Sequence, residues 1–178
     1  MGTPQEPQPV KLFVALLAAH DDLFPPVEID LSALFGPIDA ASAIVSWSVT
    51  DYYQSEMGRA LRRRFISFER LISPETLAEI KHKTHEVENS YRRAGGTGRR
   101  RRANIDPGYV DTGKVVLAST KGAGHRMYLQ AGIYGETTLL FYEGSFHPLP
   151  YTYRDYLWPE TTAFLADLRA RYLGQLKR

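Results

Sequence analysis

The chain has 178 residues, 43% of them hydrophobic and 12% aromatic, which suits one domain with a core of its own. It contains no cysteine, so disulfides, thiolate-bound zinc, iron–sulfur clusters and thiol nucleophiles are excluded. Its net charge is +2, but residues 59–102 hold 13 basic and 5 acidic side chains, a local +8 that leaves −6 for the rest.

Residues 1–9 read as a flexible tail and 10–178 as a single α+β domain. The start, MGTPQEPQPV, has no basic stretch followed by an apolar one, and Glu6 fails the myristoylation pattern. No apolar run reaches membrane-spanning length, so the expected setting is the cytoplasm, with no membrane partner.

VKLFVALLA, from Val10, is nearly continuous in apolar residues and reads as a strand covered on both faces. VEIDLSALFG reads as a helix with Leu31, Leu34 and Phe35 on its inner face and Gly36-Pro37 closing it. AASAIVSWSV alternates as a half-buried strand, with Ala43, Val45, Trp47 and Val49 inward. DYYQSEMG reads as a polar–aromatic loop and LRRRFISFERLI as a third strand. Ser73 and Pro74 predict the cap and first turn of a helix whose stripe is Leu77, Ile80, Thr84, Val87 and Tyr91. A basic, flexible loop is expected over 94–103, with a turn at Asp106-Pro107-Gly108. Residues 113–120 read as a fourth strand, and 126–142 as a hairpin turning near Gly132. GSFHPLPYTY is too rich in proline for a regular element. A last helix follows Trp158-Pro159, with Phe164, Leu165, Leu168, Tyr172 and Leu176 inward. The order β-α-β-β-α-β, then a hairpin and a helix, predicts a ferredoxin-like core with a mostly antiparallel sheet and a C-terminal extension.

From Gly108 to Lys114 the chain reads G-x-x-x-x-G-K, but Val115 stands where a P-loop needs Ser or Thr. A P-loop also opens a helix, and VVLAST favours a strand. His82 and His85, with Glu79 and Glu86 nearby, have zinc-like spacing but read as an exposed helix face, so no metal site is assigned. A two-histidine phosphoesterase would need two H-x-[ST] motifs on strands, and the single such triplet here lies on a helix. The hairpin is more informative. Its even positions carry Arg126, Tyr128, Gln130, Tyr134, Glu136 and Thr138, opposite a core-facing odd set. With Lys114, Lys121, His125, Asn104 and Asp106 near in sequence, that face is either solvated or a ligand site.

Together the blocks PVKLFVALL, LFGPID, TDYYQSEMG, RRFISFERLISPETLAEIK, RRANIDPGYV, KVVLASTK, HRMYLQAGIY and HPLPYTYRDYL resemble the bacterial domain of unknown function 4416 family, over residues 8 to 176. The resemblance implies a cytoplasmic bacterial protein of about this length. It carries no established activity, and a loose GTP-binding label on some relatives meets no GTPase signature here. The position of Gly113 is often another residue, such as serine, in the family. The family's polar blocks fall on Asp51, Tyr52, Tyr53, Glu56, Asn104, Asp106, Lys114, Lys121, His125, Arg126, Tyr128 and Glu136.

The leading expectation is binding of a phosphate-bearing small molecule such as a nucleotide, with its chemical transformation as the further option. Lys114, Lys121, Arg126, Tyr128, Asn104, Asp51, Tyr53 and Glu56 would bind, and His125, Asp106 and Glu136 would be acid/base residues. One rival is an RNA-binding module using Arg62–Arg64, Arg99–Arg102 and the aromatics from Phe141 to Trp158. The other is a protein-interaction scaffold without a ligand. No cofactor is named by any of these patterns.

Overall fold

The computed structural model describes residues 2–95 and 98–177, with the side chains of 93–100 outside the description. In chain order the elements are β1 (Val10–Ala18), α1 (Phe24–Phe35), β2 (Ile38–Ala41), β3 (Val45–Trp47), α2 (Gln54–Met57), β4 (Leu61–Ile72), α3 (Leu77–Ser90), β5 (Arg93–Gly95), β6 (Gly98–Arg100), β7 (Ala103–Val110), β8 (Lys114–Ser119), β9 (Met127–Gln130), β10 (Ile133–Tyr142), β11 (Ser145–Pro148) and α4 (Pro159–Gln175). The main sheet runs β11-β10-β8-β7-β1-β4-β2, with β3 on β4 and β9 on β10. Every pairing among the described residues is antiparallel.

The sheet lies between two layers. On one face Leu12, Val14 and Leu16 of β1 pack with Phe24, Val27 and Leu31 of α1 and Ile80 and Val87 of α3. On the other, Phe13 and Ala15 meet Phe164, Leu165 and Leu168 of α4. This two-sided burial explains the unbroken apolar run of β1, where each large side chain contributes roughly 1.5–3 kcal/mol. Its one polar member, Lys11, is buried against Asp39 at 2.5 Å and the carbonyl of Phe68 at 2.7 Å.

Several sequence expectations change. The strand beside β1 after α3 is β7, not 113–120, which is one place further out as β8. The expected turn at Asp106-Pro107-Gly108 lies inside β7. Pro107 is tolerated there because the ladder to β8 covers only residues 108–110, and Gly108 leaves room for the close approach of β8. Serine 145 to proline 148, expected to be irregular, forms the edge strand β11, where proline is admissible. Leu34 faces solvent, while Phe24 and Val27 join Leu31 and Phe35 inside. The single strand expected near Trp47 is divided into β2 and β3, both on β4. The 51–57 loop contains a 3-10 turn and the short helix α2. Ser73 starts the α3 region without a side-chain capping bond; its carbonyl accepts from Thr76 instead. Within 94–103, Gly96 and Thr97 lie outside the described residues, and β5 and β6 pair on either side.

Candidate functional site

The cavity lies where the sheet divides. β7 stays paired with β1 as far as Ala18↔Ala103. β8 leaves β7 after Gly108↔Leu117 and follows β10 to Ser119↔Tyr134. Pro107, the next residue of β7, has no N–H with which to extend that ladder. The strands therefore part, and a cavity of about 190 Å³ occupies the fork on the α4 side.

Its floor comes from strand register. Arg63 of β4 stands opposite Leu17 of β1, which stands opposite Asn104 of β7. In the next row Phe65, Ala15 and Asp106 align. Alternation of Leu61, Arg63 and Phe65 thus places a guanidinium on an otherwise apolar face. Arg63 donates from Nη2 to Asp155 at 2.6 Å, and Trp47 donates to the same oxygen at 3.0 Å. Nε and Nη1 of Arg63 are buried without a hydrogen-bond partner among the described residues, as is the hydroxyl of Tyr156. Burial opposes the Arg63 charge more than any single neighbour supports it, but Asp155, Tyr156, Asp106 and Tyr53 together outweigh it, and the guanidinium stays protonated.

Lys81, His85 and Glu88 of α3 reach the same cavity through the fork. Their spacing of four and three residues keeps them on one flank of the helix. Lys81 donates to Asp106 at 2.9 Å and to the Ile105 carbonyl at 3.0 Å. Asp106 also accepts from Asn104 at 2.5 Å, and Asn104 accepts from Arg101 at 2.9 Å. Burial would raise the Asp106 carboxyl, but the Lys81 ammonium and its hydrogen bond hold it below the ordinary range. Glu88 accepts the Ile105 N–H at 2.5 Å, and burial pushes its carboxyl up to about 7 against the pull of Lys81.

The far wall is a fastened group. Glu136, 1% exposed, accepts from Arg126 at 2.7 Å and contacts His125 at 3.1 Å. Arg126 also donates to Ser119, the Lys121 carbonyl and Tyr153 at 2.8–2.9 Å. His125 stacks on Tyr151 at 4.0 Å, behind Glu136. This wall holds Arg126 in place and leaves Glu136 few free lone pairs. At the rim, Lys121 lies 2.8 Å from the Tyr52 hydroxyl and 4.1 Å from its ring centroid. Tyr53 packs edge-on against Trp47 and Tyr52, and burial keeps its phenol protonated.

Among the residues expected from sequence, Asn104, Asp106, Lys121, Arg126, Glu136 and Tyr53 line this cavity. His125 stands one layer back. Asp51 and Glu56 act from outside it. Asp51 accepts from Gln54 beneath the tyrosine turn, and Glu56 meets Arg101 at 3.3 Å. Tyr128 is 60% exposed on β9, off the cavity. Lys114 is also elsewhere, paired with Asp111 at 2.5 Å beside a shallower apolar cleft. The Asp111 carboxylate also takes the N–H groups of Gly113 and Lys114, donors that a P-loop would aim at phosphate. The P-loop fragment is an Asp-closed turn between strands.

The sequence reading missed Lys81, His85, Glu88, Arg63 and Asp155. His85 had been assigned to an exposed helix face, yet it is half-buried on the cavity wall. The available signal was positional: Lys81 and Glu88 each follow a stripe residue, and Arg63 shares parity with Leu61 and Phe65. Arg62 pairs with Asp21 and Arg64 with Glu28, so the two arginines flanking Arg63 are engaged within the fold. Arg99 and Arg100 have side chains outside the described residues. No group of three metal-ligating side chains occurs among the described residues, and no helix among them is long and apolar enough to cross a membrane.

The family model described as "Domain of unknown function (DUF4416)" matches residues 8–172. The chain belongs to this family. No curated protein and no solved structure matches it. Since the matched span holds every cavity residue described above, the cavity of this DUF4416 chain lies within the family domain.

Proposed function

We propose that this DUF4416 domain binds a small phosphate-bearing molecule, nucleotides included, in the cavity at the β7–β8 fork. The observation that carries the reading is Arg63: a buried guanidinium on the cavity wall whose Nε and Nη1 nitrogens have no hydrogen-bond partner among the described residues. An anionic oxygen is the acceptor such a fork fits best. The lining charge agrees. Arg63, Lys81, Arg101, Lys121 and Arg126 face Glu88, Asp106, Glu136 and Asp155, five cations against four carboxylates, of which Glu88 titrates only at about 7. The volume, about 190 Å³, equals roughly six waters at ~30 Å³ each. That accommodates a phosphate and a small sugar, with a larger ring resting on Tyr52 and Tyr53 at the rim. The order β7-β1-β4-β2, with α1 and α3 as crossovers, supports reading this half of the sheet as a ferredoxin-like unit extended by β8, β10 and β11.

The test is thermal stabilisation across a panel of sugar phosphates and mononucleotides. A ligand at 100 times its Kd adds about 2.7 kcal/mol of stability. Lys121→Ala, at an exposed rim position, should reduce that gain, whereas Lys114→Ala should leave it unchanged. Equal stabilisation of wild type and Lys121→Ala, or a loss confined to Lys114→Ala, would remove the ligand from this cavity.

A further inference from the structure

We propose that Glu88, in its neutral acid form, donates a hydrogen bond to an oxygen of the bound anion, so that this cavity takes up an oxyanion together with a proton. The inference rests on the anion-site reading above and gives the ligand class a sharper chemistry: a phosphate, or another multivalent oxyanion able to accept from a carboxylic acid.

The geometry is that of one ammonium serving two carboxylates. Lys81 is committed to Asp106, 2.9 Å away, and Asp106 is further held by Asn104. Glu88 is 3% exposed, and no cation lies within 4.0 Å of its carboxylate among the described residues. Its single fixed bond, from the Ile105 N–H to Oε1, leaves the other oxygen for a second partner. A buried carboxylate beside another, with the shared cation already taken, is the arrangement in which one carboxyl stays protonated. The raised Glu88 carboxyl, at about 7, agrees with this.

The charged groups around Glu88 come from several elements. On α3 they are Lys81 and His85; on β7, Asp106; before β7, Arg101. Across the cavity stand Arg63 of β4 and the Arg126–Glu136 pair. An anion entering among them is repelled by an ionised Glu88 and bonded by a neutral one. Binding therefore raises the Glu88 carboxyl further and draws a proton from solvent. Burial and the Lys81 charge lower His85, which also lines the cavity and is therefore a second group that could imitate the effect.

Sulfate is the probe, because it does not titrate between pH 5 and 9, and inorganic phosphate serves as the second anion. Isothermal titration of the full chain should show sulfate binding weakening about tenfold from pH 6 to pH 8, the linkage of one proton to a group titrating near 7. Heats measured at pH 7.5 in buffers of different ionisation enthalpy should show net proton uptake by the wild-type protein. Glu88→Gln, which keeps a donor and cannot ionise, should bind sulfate at pH 8 as the wild type does at pH 6. His85→Asn should retain the pH dependence. Equal wild-type affinity at pH 6 and 8, no proton uptake, or a dependence lost in His85→Asn instead of Glu88→Gln would overturn the role of Glu88 and leave the anion site standing. Absence of sulfate and phosphate binding at every pH would overturn the site and, with it, this inference.

Discussion

A guanidinium has five N–H donors, and taking it out of water costs several kcal/mol unless they are matched. Arg63 matches one of them on Asp155 and rests its plane near the Trp47 and Phe65 rings, 5.7 and 5.6 Å from their centroids. Its Nε and Nη1 have no partner among the described residues, and neither has the hydroxyl of Tyr156, which lines the same cavity. Other single residues have purely structural explanations. Gly108 is required because a Cβ there would come within 2.5 Å of the Val116 carbonyl and 2.8 Å of the Phe13 ring. Gly113 has no such constraint, since its nearest neighbour would be Asp111 at 4.0 Å. Gly108→Ala should therefore cost about 1–3 kcal/mol or more in urea unfolding. Gly113→Ala should stay within about 0.5 kcal/mol. If the two substitutions cost the same, the close approach of β7 to β8 is misdescribed.

Among the elements, α3 carries most of the chemistry. Its stripe of Leu77, Ile80, Thr84 and Val87 was legible from spacing, and all four are buried. Lys81 and Glu88 were not, because a charged residue beside a stripe looks the same in sequence whether it snorkels outward or enters a cavity. That distinction depends on the gap between β7 and β8, which is a property of pairing. β7 was missed for a related reason: Pro107 and Gly108 are ordinary turn residues, and it is the end of the β8 ladder before Pro107, with the close approach of β8 at Gly108, that makes them acceptable in a strand. On the hairpin, the alternation holds in β10, where Glu136 stands between the core residues Ile133 and Leu139, but fails in β9, where Met127 and Leu129, expected inward, are exposed and Tyr128 lies edge-on against Tyr134.

The element also predicts a pH dependence of stability. Glu88 is raised from 4.5 to about 7 by burial, so between those values the folded chain keeps a proton that the unfolded chain releases. Its contribution is present at the acidic end and is lost as pH rises through that window. Relative to Glu88→Gln, the wild type should lose roughly 2–3 kcal/mol between pH 5 and pH 8 in denaturant titrations. A gap that stays constant, or grows with pH, would show that Glu88 is not buried as an acid.

At the scale of the whole molecule, the fold places its polar chemistry where three layers fail to close. The central strands are covered by α1 and α3 on one face and α4 on the other. At the fork, charged side chains from β4, α3, β7, β10 and the segment before α4 converge. The α+β class was legible because β1 is an unbroken apolar run while α3 and α4 carry their buried apolar residues at helical spacing. The fork was not, because it results from two strands that each pair well with a different neighbour.

The central claim is that Arg63 and Tyr156 mark an oxyanion site in this fork. Crystals grown without sulfate or phosphate and then soaked in sulfate test it most directly. The account predicts a tetrahedral anion within hydrogen-bond distance of Arg63 Nε or Nη1, with Glu88 facing it from across the cavity. Sulfate found only on outer-surface cations, with the fork closed over Arg63 by protein groups, would contradict it.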